Sequence, residues 1–427
     1  MLSNELRNQV QYVDVLVIGA GPAGMAAAIA AREAGVENLL VLEREEHMGG
    51  ILRQCIHNGF GLHRFKEELT GPEYAQRYID QVVERGIEYR VNATVIDVSK
   101  DKVVTYVSAV DGLTQIQAKA IILACGCRER PRGGINIAGM RGAGVFSAGT
   151  AQKLVNIDGY MPGKECVILG SGDIGLIMAR RMTFEGAKVK AVVELMPYSS
   201  GLNRNIVQCL NDFDIPLYFS HTVVDIKGKD RVTGVVVAPV DEKLAPIMDK
   251  AQLIECDTLL LSVGLLPENE LAKQGGVELS NVTGGAVVDE NMMTNIDGVF
   301  ECGNVLHVHD LVDFVSAESE NAGKCAVAYI NGLESCAEKI AINCTNGVRY
   351  CVPTQLNRDD NYQPLNFKMR VANVFKKVEL AVFADGVKVY GKKRPVVAPG
   401  EMESINLTAE QVETLKKAQH IEITLIK

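Results

Sequence analysis

The sequence predicts an α/β protein built from two similar βαβ units and a small β-rich module. Three observations carry this prediction. A glycine-rich turn between an apolar strand and a helix occurs twice, each unit ends on a carboxylate, and apolar and polar residues alternate within the part of the chain that follows residue 335. The length of 427 residues is sufficient for roughly two to three domains.

The repeated unit begins with the motif GAGPAG at residues 19–24 and recurs as GSGDIG at residues 170–175. Each motif follows a short apolar strand and precedes an apolar helical stretch. In each unit a second apolar strand then ends on an acid, Glu43 or Glu194, 24 residues after the first glycine. Two matched copies of this arrangement are far more specific than a single glycine motif.

The glycine spacing is typical of a turn that holds a dinucleotide. The first glycine permits the tight turn, the second lets the backbone approach a pyrophosphate, and the third lets the helix pack closely on the strand. Unpaired N–H groups and the dipole at the helix N-terminus favour the anion. Glu43 and Glu194 would accept hydrogen bonds from ribose hydroxyls, and Glu194 would repel a 2′-phosphate. The sequence therefore predicts two Rossmann-like dinucleotide sites, the second of which prefers NAD over NADP.

Three further motifs follow in order: ACG at 124–126, SVG at 262–264 and TNIDGVFECGN at 294–304. Together with the two glycine turns they resemble the two-dinucleotide-binding-domain flavoproteins, the pyridine nucleotide-disulphide oxidoreductase superfamily. The resemblance implies FAD and NAD as cofactors. It also implies a discontinuous FAD-binding domain of residues 1–125 and 266–335, an NAD-binding domain of residues 126–265, and a small β-rich C-terminal module of residues 336–427.

The resemblance also implies which residues hold each cofactor. For FAD these are Gly19, Gly21, Pro22, Ala23, Gly24, Glu43, Arg44, Gly49, Gly50, Val95, Ala124, Gly126, Gly303 and Asn304. For NAD they are Gly170, Gly172, Asp173, Ile174, Gly175, Glu194 and Gly264. The superfamily normally has Gly-Asp at the last FAD turn, whereas this chain has Gly303-Asn304. We expect the amide oxygen of Asn304 to accept a hydrogen bond from the ribityl chain.

The redox cysteine pairs of the superfamily are missing from their usual places. The segment after the Gly49-Gly50 turn contains Cys55 alone, and residues 126–265 contain no C-x2-C motif. We therefore expect an oxidoreductase without a redox-active disulphide. Its electrons must pass directly to oxygen, to a small substrate or to another subunit.

Four short segments resemble a narrower group of flavoproteins. Residues 55–61, 69–73, 127–131 and 193–197 are similar to flavoprotein subunits of heteromeric sarcosine oxidase, opine and dye-linked proline dehydrogenases and hydrogen cyanide synthase. They are also similar to reductases associated with glycerol-3-phosphate dehydrogenases. The similarity implies an oligomer in which this chain meets a dehydrogenase or a small electron-transfer subunit.

Cys55 and His57 are the candidate catalytic residues, because they follow the turn expected beneath the flavin. A thiol or imidazole at that place would tune the ring or handle a proton. A buried thiol and a hydrogen-bonded histidine explain the same residues without chemistry. Cys125 and Cys127 lack the partner cysteines of an iron–sulphur cluster, so packing is the preferred interpretation.

Residues 305–313 concentrate polar groups, namely His307, His309, Asp310 and Asp313. Two histidines with nearby carboxylates are capable of binding zinc or iron. A turn into a flavin-facing helix over about residues 316–331 explains the same residues more simply, and we expect no metal here.

The pattern of residues 336–427 predicts a β-rich module, and its polar residues do not have the spacing of a catalytic motif. Asp385-Gly386 is typical of a hairpin turn between two alternating strands, Thr408-Ala-Glu-Gln411 of a capping box that opens a helix, and residues 421–426 of a last strand. Cys336, Cys344 and Cys351 are too widely spaced for a zinc ribbon. The module either docks a partner subunit or caps the flavoprotein core.

Composition limits the classes of function. Lys and Arg number 44 against 53 Asp and Glu, and the net charge of −9 offers no general attraction for nucleic acid or anionic membranes. Eleven cysteines without a disulphide rhythm, and a start without a signal-peptide pattern, favour a cytoplasmic protein. We expect an FAD-dependent NAD(H) oxidoreductase that passes hydride between nicotinamide and flavin as a subunit of a heteromeric dehydrogenase for a small metabolite. A free-standing NADH oxidase or peroxidase, and a non-catalytic flavin-bearing scaffold or redox sensor, are the alternatives.

Overall fold

A computed structural model describes residues 10–333 and 336–427. Residues 1–9 and the predicted domain boundary at residue 335 therefore lie outside the described residues. The chain divides into two compact units, Met1–Cys127 with Pro267–Lys427 and Arg128–Leu266.

The elements follow one another in three stretches. Up to residue 123 they are β1 (Gln11–Ile18), α1 (Pro22–Glu33), β2 (Leu39–Leu42), β3 (Asn58–Phe60), β4 (Leu69–Thr70), α2 (Gly71–Glu84), β5 (Glu88–Arg90), β6 (Ala93–Val98), β7 (Val103–Ser108) and β8 (Gly112–Leu123). Residues 127–267 form β9 (Cys127–Glu129), β10 (Val145–Ser147), α3 (Ala148–Asn156), β11 (Glu165–Leu169), α4 (Asp173–Phe184), β12 (Lys188–Val193), α5 (Asn203–Cys209), β13 (Leu217–Tyr218), β14 (His221–Gly228), β15 (Val232–Pro239), β16 (Gln252–Glu255), β17 (Thr258–Leu261) and β18 (Leu265–Pro267). The last stretch forms α6 (Glu270–Gln274), β19 (Val299–Glu301), α7 (Val312–Ile330), β20 (Lys339–Cys344), β21 (Val348–Val352), β22 (Gln355–Asn357), β23 (Leu365–Val371), β24 (Phe375–Ala384), β25 (Val387–Val397), β26 (Glu403–Leu407), α8 (Ala409–Lys417) and β27 (Ile421–Ile426).

The first unit is built on a sheet of order β5-β2-β1-β8-β7-β6, in which β19 also pairs with β8. The strands β5, β2, β1, β8 and β19 are parallel. Helix α1 is buried over Ala23–Ala31 and packs against α7. This contact requires glycine at position 323, because a Cβ there would lie 2.2 Å from the carbonyl oxygen of Ala27. Small residues thus allow the two helices to share one face of the sheet.

Strand register places the ends of four parallel strands side by side. Ile18, the last residue of β1, is level with Leu42 of β2 and Leu123 of β8, and Leu123 is level with Glu301 of β19. In open parallel sheets ligands bind at this carboxyl edge. The residues that follow these strands therefore meet at one place in the fold.

The second unit has the same plan at smaller size. Its parallel sheet has the order β10-β17-β11-β12-β13, and a three-stranded antiparallel sheet of β14, β15 and β16 packs on it through a second core. Leu169, at the end of β11, is level with Val193 of β12 and Leu261 of β17. The two halves of the sequence repeat thus form equivalent α/β arrangements, which confirms the predicted fold class.

The C-terminal module consists of two sheets around a core of its own, with the orders β22-β20-β27-β24-β25 and β21-β23-β26. Asp385 and Gly386 take φ of 50° and 80° in the β24–β25 hairpin, as a two-residue turn requires. Thr408 and Gln411 form the expected capping box of α8. Both local predictions are confirmed.

Helix α7 begins earlier than the sequence pattern indicated. The predicted start was about residue 316, but the helix runs from Val312 to Ile330. The first turn contains Asp313, whose carboxylate accepts hydrogen bonds from the backbone N–H groups of Gly61, His63 and Arg64. These long-range contacts fix the additional turn, and no sequence-local signal reveals them.

Candidate functional site

The first glycine turn is determined by close backbone contacts. Gly19 has a φ of +104°, and a Cβ there would lie 2.5 Å from the carbonyl oxygen of Ala124. A Cβ on Gly24 would lie 1.7 Å from the carbonyl oxygen of Gly19. Neither position accepts a side chain, so both glycines are needed to join β1 to α1 and to bring the end of β8 against the turn.

Two other predicted segments reach the same place. A Cβ on Gly50 would lie 3.0 Å from the Cα of Gly21, and Gly49 donates its N–H to the carbonyl oxygen of Ala20 at 2.8 Å. A Cβ on Gly303 would lie 2.7 Å from the Cβ of Ala23. The turns at 49–50 and 303–304 therefore both lie against the start of α1, although they are far apart in sequence.

Glu43 is held rigidly at the end of β2. Its Oε2 accepts a hydrogen bond from the N–H of Ala20 at 2.7 Å, and its Oε1 accepts one from the N–H of Glu45 at 2.9 Å. A carboxylate has about four lone-pair positions, so two hydrogen bonds leave capacity for ribose hydroxyls. The turn and the acid are thus locked together before any ligand binds.

The remaining predicted FAD positions differ in how far they are buried. Ala124 is buried, and Gly126 has a φ of +73° with open space where a side chain would be. Val95 is half-buried on β6, opposite Tyr106 of β7. Arg44 is mostly exposed, with its Nε 3.9 Å from a carboxylate oxygen of Glu45.

The second turn repeats these contacts in the other unit. Gly170 has a φ of +99°, and a Cβ there would lie 2.0 Å from the carbonyl oxygen of Ser262. A Cβ on Gly175 would lie 2.7 Å from the carbonyl oxygen of Gly170. Glu194 accepts hydrogen bonds from the N–H of Ser171 at 2.9 Å and from the N–H of Met196 at 2.9 Å. Glu194 thus occupies the same place in its unit as Glu43 does in the first.

One feature of the second turn was not evident in the sequence. Asp173 Oδ1 accepts hydrogen bonds from the N–H of Leu202 at 2.8 Å and from the side chain of Asn205 at 2.6 Å. Gly201 donates its N–H to the carbonyl oxygen of Ser171 at 3.0 Å. Asp173 therefore holds the segment 199–205 against the turn. Of the other predicted NAD positions, Ile174 packs at the edge of the domain core, and Gly264 has a φ of +97° with open space around it.

The middle glycines of both turns test whether a dinucleotide fits. Gly21 has a φ of −73°, and the nearest atom to a Cβ there would be the Cα of Gly50 at 4.0 Å. Gly172 has a φ of −67°, and its nearest neighbour would be the hydroxyl of Ser262 at 3.4 Å. Protein packing therefore does not require glycine at either position. Close approach of a ligand to the backbone does explain the missing side chains, as a bound pyrophosphate needs.

Comparison with known proteins agrees with this geometry. Residues 13–327 match the model of the pyridine nucleotide-disulphide oxidoreductase family. The chain belongs to this family. It is an oxidoreductase whose cofactors are FAD and NAD(P)H. Among the described residues, no helix is long and apolar enough to cross a membrane.

Two curated relatives and one solved structure define the likeness further. The chain is 27% identical to hydrogen cyanide synthase subunit HcnB of Pseudomonas protegens over 62% of this chain and 59% of that one. It is 27% identical to the thioredoxin reductase of Listeria innocua over 78% of this chain and 98% of that one. The structure of T. acidophilum thioredoxin reductase matches with a TM-score of 0.62 at 24% identity, over 76% of this chain and all of that one. The last match supports the two-domain fold, and the first supports the narrower flavoprotein group.

Cys55 and His57 both have local partners. The thiol of Cys55 donates to the carbonyl oxygen of Ile51 at 3.3 Å, and burial raises the pKa of the thiol to about 12. The Nδ1 of His57 lies 3.0 Å from the carbonyl oxygen of Asn58, and its ring packs 5.0 Å from that of Phe60. A thiol with such a pKa is protonated at neutral pH and is a poor nucleophile. These contacts favour the packing interpretation for Cys55.

Cys125 is equally unreactive by environment. Burial raises the pKa of its thiol to about 12, and its sulphur lies 3.8 Å from the carbonyl oxygen of Ile18. Its neighbour Cys127 opens β9. Cys125 thus belongs to the backbone turn at 124–126 that follows β8, and Cys127 is the first residue after that turn.

The side-chain oxygen of Asn304 has a different partner from the one expected. It accepts a hydrogen bond from the backbone N–H of His309 at 3.0 Å and lies 3.4 Å from Nδ1 of the same residue. A backbone N–H can only donate, so it identifies this atom as the oxygen. The ribityl contact expected of Asn304 stays a prediction, because an amide oxygen has two lone pairs and the NH₂ group of the same side chain can also donate.

The polar stretch at 305–313 separates into two groups. Asp310 pairs with Arg370 and accepts a hydrogen bond from the N–H of Met402 at 2.6 Å. As described above, Asp313 accepts three backbone N–H groups. His307 and His309 instead converge on Glu318 of α7, with Nε2 atoms 2.7 Å and 3.2 Å from its Oε2.

Sequence reasoning missed Glu318. Burial alone would raise the pKa of Glu318, but the adjacent imidazoles of His309 and His307 hold it below its ordinary value. Its other oxygen accepts a hydrogen bond from the N–H of Gly303 at 2.8 Å. The only signal in the sequence was that Glu318 is a charged residue on the otherwise apolar face of the predicted helix.

The C-terminal module contacts the core of its own unit through buried charges. Arg370 of β23 also donates to the carbonyl oxygen of Val308 at 3.0 Å. Lys339 of β20 pairs with Asp289 at 2.9 Å, and Lys416 of α8 pairs with Glu290 at 2.7 Å. The module therefore caps the core and buttresses the segment that follows Gly303.

Proposed function

We propose that this chain passes hydride between NADH and FAD as the flavoprotein subunit of a heteromeric dehydrogenase. The substrate would be a small metabolite of the amine, amino acid or glycerol-3-phosphate type. The observation that carries the proposal is the pair of matched turns, each at aligned strand ends and each with a backbone-bound carboxylate. Similarity to a subunit of hydrogen cyanide synthase supports the heteromeric role.

The chain spans 59% of the length of that subunit, so the activity of the whole relative does not transfer directly. We assign FAD to the segments 19–24, 43–44, 49–50, 124–126 and 303–304, with Val95 at the edge, within a domain of residues 1–125 and 266–335. We assign NAD to residues 170–175, Glu194 and Gly264, within residues 126–265.

In this proposal the cofactors supply the hydride chemistry, and the protein supplies position and electrostatics. The N–H groups at the start of α1 and α4 would face the two pyrophosphates, because helix N-termini stabilise anions. Glu43 and Glu194 would orient the riboses. Neither step uses a cysteine.

The environment of Glu194 favours NADH over NADPH. Its carboxylate is fixed by two backbone N–H groups, so it cannot swing away from a 2′-phosphate without losing both. Between Glu194 and Arg204 the sequence contains no Lys or Arg that would neutralise that phosphate. Repulsion by the Glu194 carboxylate and the lack of a nearby cation both weaken the binding of NADPH relative to NADH.

Anaerobic stopped-flow mixing tests the core of the proposal. We expect NADH to bleach the flavin absorbance of the purified protein and NADPH to do so at least about tenfold more slowly, which corresponds to about 1.4 kcal/mol. Absence of bleaching with NADH would leave only the flavin-bearing scaffold, and bleaching with NADPH alone would refute the assignment of Glu194.

A second experiment tests the subunit role. The purified chain alone should consume NADH slowly under air, and co-expression with the products of neighbouring genes should yield a complex that couples NAD to a metabolite. Rapid NADH oxidation by oxygen or peroxide without any partner would instead support the free-standing oxidase or peroxidase. The eleven cysteines are free thiols, which is typical of a reducing compartment, and we place the protein in the cytoplasm.

A further inference from the structure

Two imidazoles and one carboxylate converge in the core beside the Gly303 turn. The Nε2 atoms of His307 and His309 approach the same oxygen of Glu318, and the three ligand atoms all lie within 4.8 Å of one another. The side chains are 0%, 1% and 7% exposed. Surface acids commonly form clusters without binding an ion, but this group is buried and contains two histidines.

Surrounding contacts orient two of the three ligand groups, Glu318 and His309, while Nδ1 of His307 has no hydrogen-bond partner among the described residues. The N–H of Gly303 holds Oε1 of Glu318 at 2.8 Å, which directs Oε2 toward the histidines. The Oδ1 of Asn304 lies 3.4 Å from Nδ1 of His309. A proton on that Nδ1 leaves the lone pair of Nε2 free for a metal, which is the usual outer contact of a metal-binding histidine.

Neighbouring carboxylates do not compete for the same role. Asp310 is committed to Arg370 and to the N–H of Met402. Asp313 is committed to backbone N–H groups at the start of α7. Of the four residues in the 305–313 stretch, only the two histidines thus remain, and Glu318 supplies the carboxylate from the adjacent helix.

We propose that His307, His309 and Glu318 bind one divalent transition-metal ion of the zinc class. Imidazole nitrogen and carboxylate oxygen are ligands that zinc accepts at about 2.1 Å, and tetrahedral geometry then separates neighbouring ligand atoms by about 3.4 Å. The His309–Glu318 separation of 3.2 Å is close to that value. The His307–Glu318 separation of 2.7 Å must widen by roughly 0.7 Å, which side-chain rotation can supply.

The bound ion would link the 303–309 turn to helix α7. Glu318 already joins Gly303 to the two histidines, so the ion replaces a hydrogen-bonded contact with a stronger one. A fourth position would be filled by water or by a small ligand, because three protein ligands leave a tetrahedral site incomplete. The proposal concerns this chain alone and does not depend on the identity of a partner subunit.

Metal content of the FAD-loaded full chain provides the test. After treatment with a chelator and addition of Co²⁺ or Zn²⁺, we expect one ion per chain by elemental analysis and tetrahedral visible bands for Co²⁺. Glu318→Gln and His309→Gln should each lower metal affinity by about 100-fold or more, whereas Asn304→Ala should lower it by about tenfold, because toward the metal it removes an outer contact rather than a ligand. Glu318→Gln retains an oxygen for the N–H of Gly303, so its flavin absorbance should persist.

His420→Gln is the matched control, because His420 is exposed in the C-terminal module. It should bind the metal as the native chain does. Failure of the native chain to bind a stoichiometric ion would overturn the proposal and identify the cluster as a hydrogen-bonded network. Metal binding that survives both Glu318→Gln and His309→Gln would overturn it too, since the ion would then lie elsewhere. The first of these results needs only the native chain, so poor folding of a variant does not weaken the test.

Discussion

Glu301 accepts a hydrogen bond from the backbone N–H of Ala286 at 2.7 Å, at a position without solvent exposure. The residue ends β19, two positions before Gly303. Burial raises the pKa of this carboxyl to about 8, so it carries its proton in the folded protein at neutral pH. A neutral acid thus lies in the core directly before the turn assigned to FAD.

Replacement by Gln should therefore stabilise the protein at alkaline pH. The folded pKa of Glu301 lies above its unfolded value of 4.5, so the folded state binds the extra proton and stability is lost as pH rises through about 8. Glu301→Gln removes this loss, because an amide does not ionise. The NH₂ group of the new glutamine can also donate to Oδ1 of Asn269, because Asn269 donates its own amide protons to the carbonyl oxygens of Gly284 and Val305.

Thermal unfolding followed by circular dichroism between pH 5 and 9 checks this expectation. The melting temperature of Glu301→Gln should exceed that of the native chain above pH 8, and the difference should shrink toward pH 5. Glu278→Gln, at an exposed carboxylate, is the control and should follow the native chain. Parallel melting curves for Glu301→Gln and the native chain at every pH would contradict a protonated Glu301.

Lys416→Met should destabilise the contact of the C-terminal module with the core of its unit. Lys416 pairs with Glu290 at 2.7 Å and donates to the carbonyl oxygen of Asn361 at 2.8 Å, although its side chain is only 1% exposed. Removing one partner of a buried pair leaves the other charge unpaired, which costs about 3–5 kcal/mol. Urea unfolding should show a decrease of that size in the free energy of unfolding, with a correspondingly lower midpoint.

The adjacent residue supplies the control for this change. Lys417 pairs with Glu413 on the exposed face of α8, where ion pairs contribute little. Lys417→Met should leave the urea midpoint nearly unchanged. Equal shifts for the two variants would show that the burial of Lys416 has no energetic effect.

The sequence predicted those parts of the fold that depend on local spacing. The turns at 19–24 and 170–175, the hairpin at Asp385-Gly386 and the capping box at Thr408 each require particular residues within a few positions. Sequence pattern reveals such requirements directly, because the physical cause lies within the same short segment.

The site depended on contacts that local pattern does not contain. Glu318 meets His307 and Gly303 only because α7 folds back beside the turn, and Asp173 meets Leu202 only because a loop returns to the helix start. The assignment of the 49–50 turn to FAD was implied by family resemblance rather than by periodicity, and its placement against Gly21 came from the structure. Contacts between segments so far apart in sequence can be located only once the pairing and register of the strands are known.

Cys55→Ser should leave flavin reduction by NADH within about twofold of the native rate. The raised pKa of the Cys55 thiol keeps it protonated, and a thiol reacts far more slowly than a thiolate. Stopped-flow reduction measures the rate, and Cys336→Ser is the control. A large loss of turnover with FAD still bound would instead show that Cys55 takes part in the chemistry, as a peroxidase would require.

Alanine at the middle glycines distinguishes cofactor contacts from packing. Gly24→Ala and Gly175→Ala place a Cβ 1.7 Å and 2.7 Å from backbone oxygens and should disturb the fold itself. Among the described residues, the nearest atoms to an added Cβ lie 4.0 Å away for Gly21→Ala and 3.4 Å away for Gly172→Ala, so circular dichroism should remain native. Gly21→Ala should lose FAD, because its methyl group occupies the approach of the FAD pyrophosphate.

Gly172→Ala should keep FAD. It should require about tenfold more NADH for half-maximal flavin reduction, because its methyl group occupies the approach of the NADH pyrophosphate. An unchanged NADH dependence in a folded Gly172→Ala protein would place the nicotinamide cofactor away from this turn.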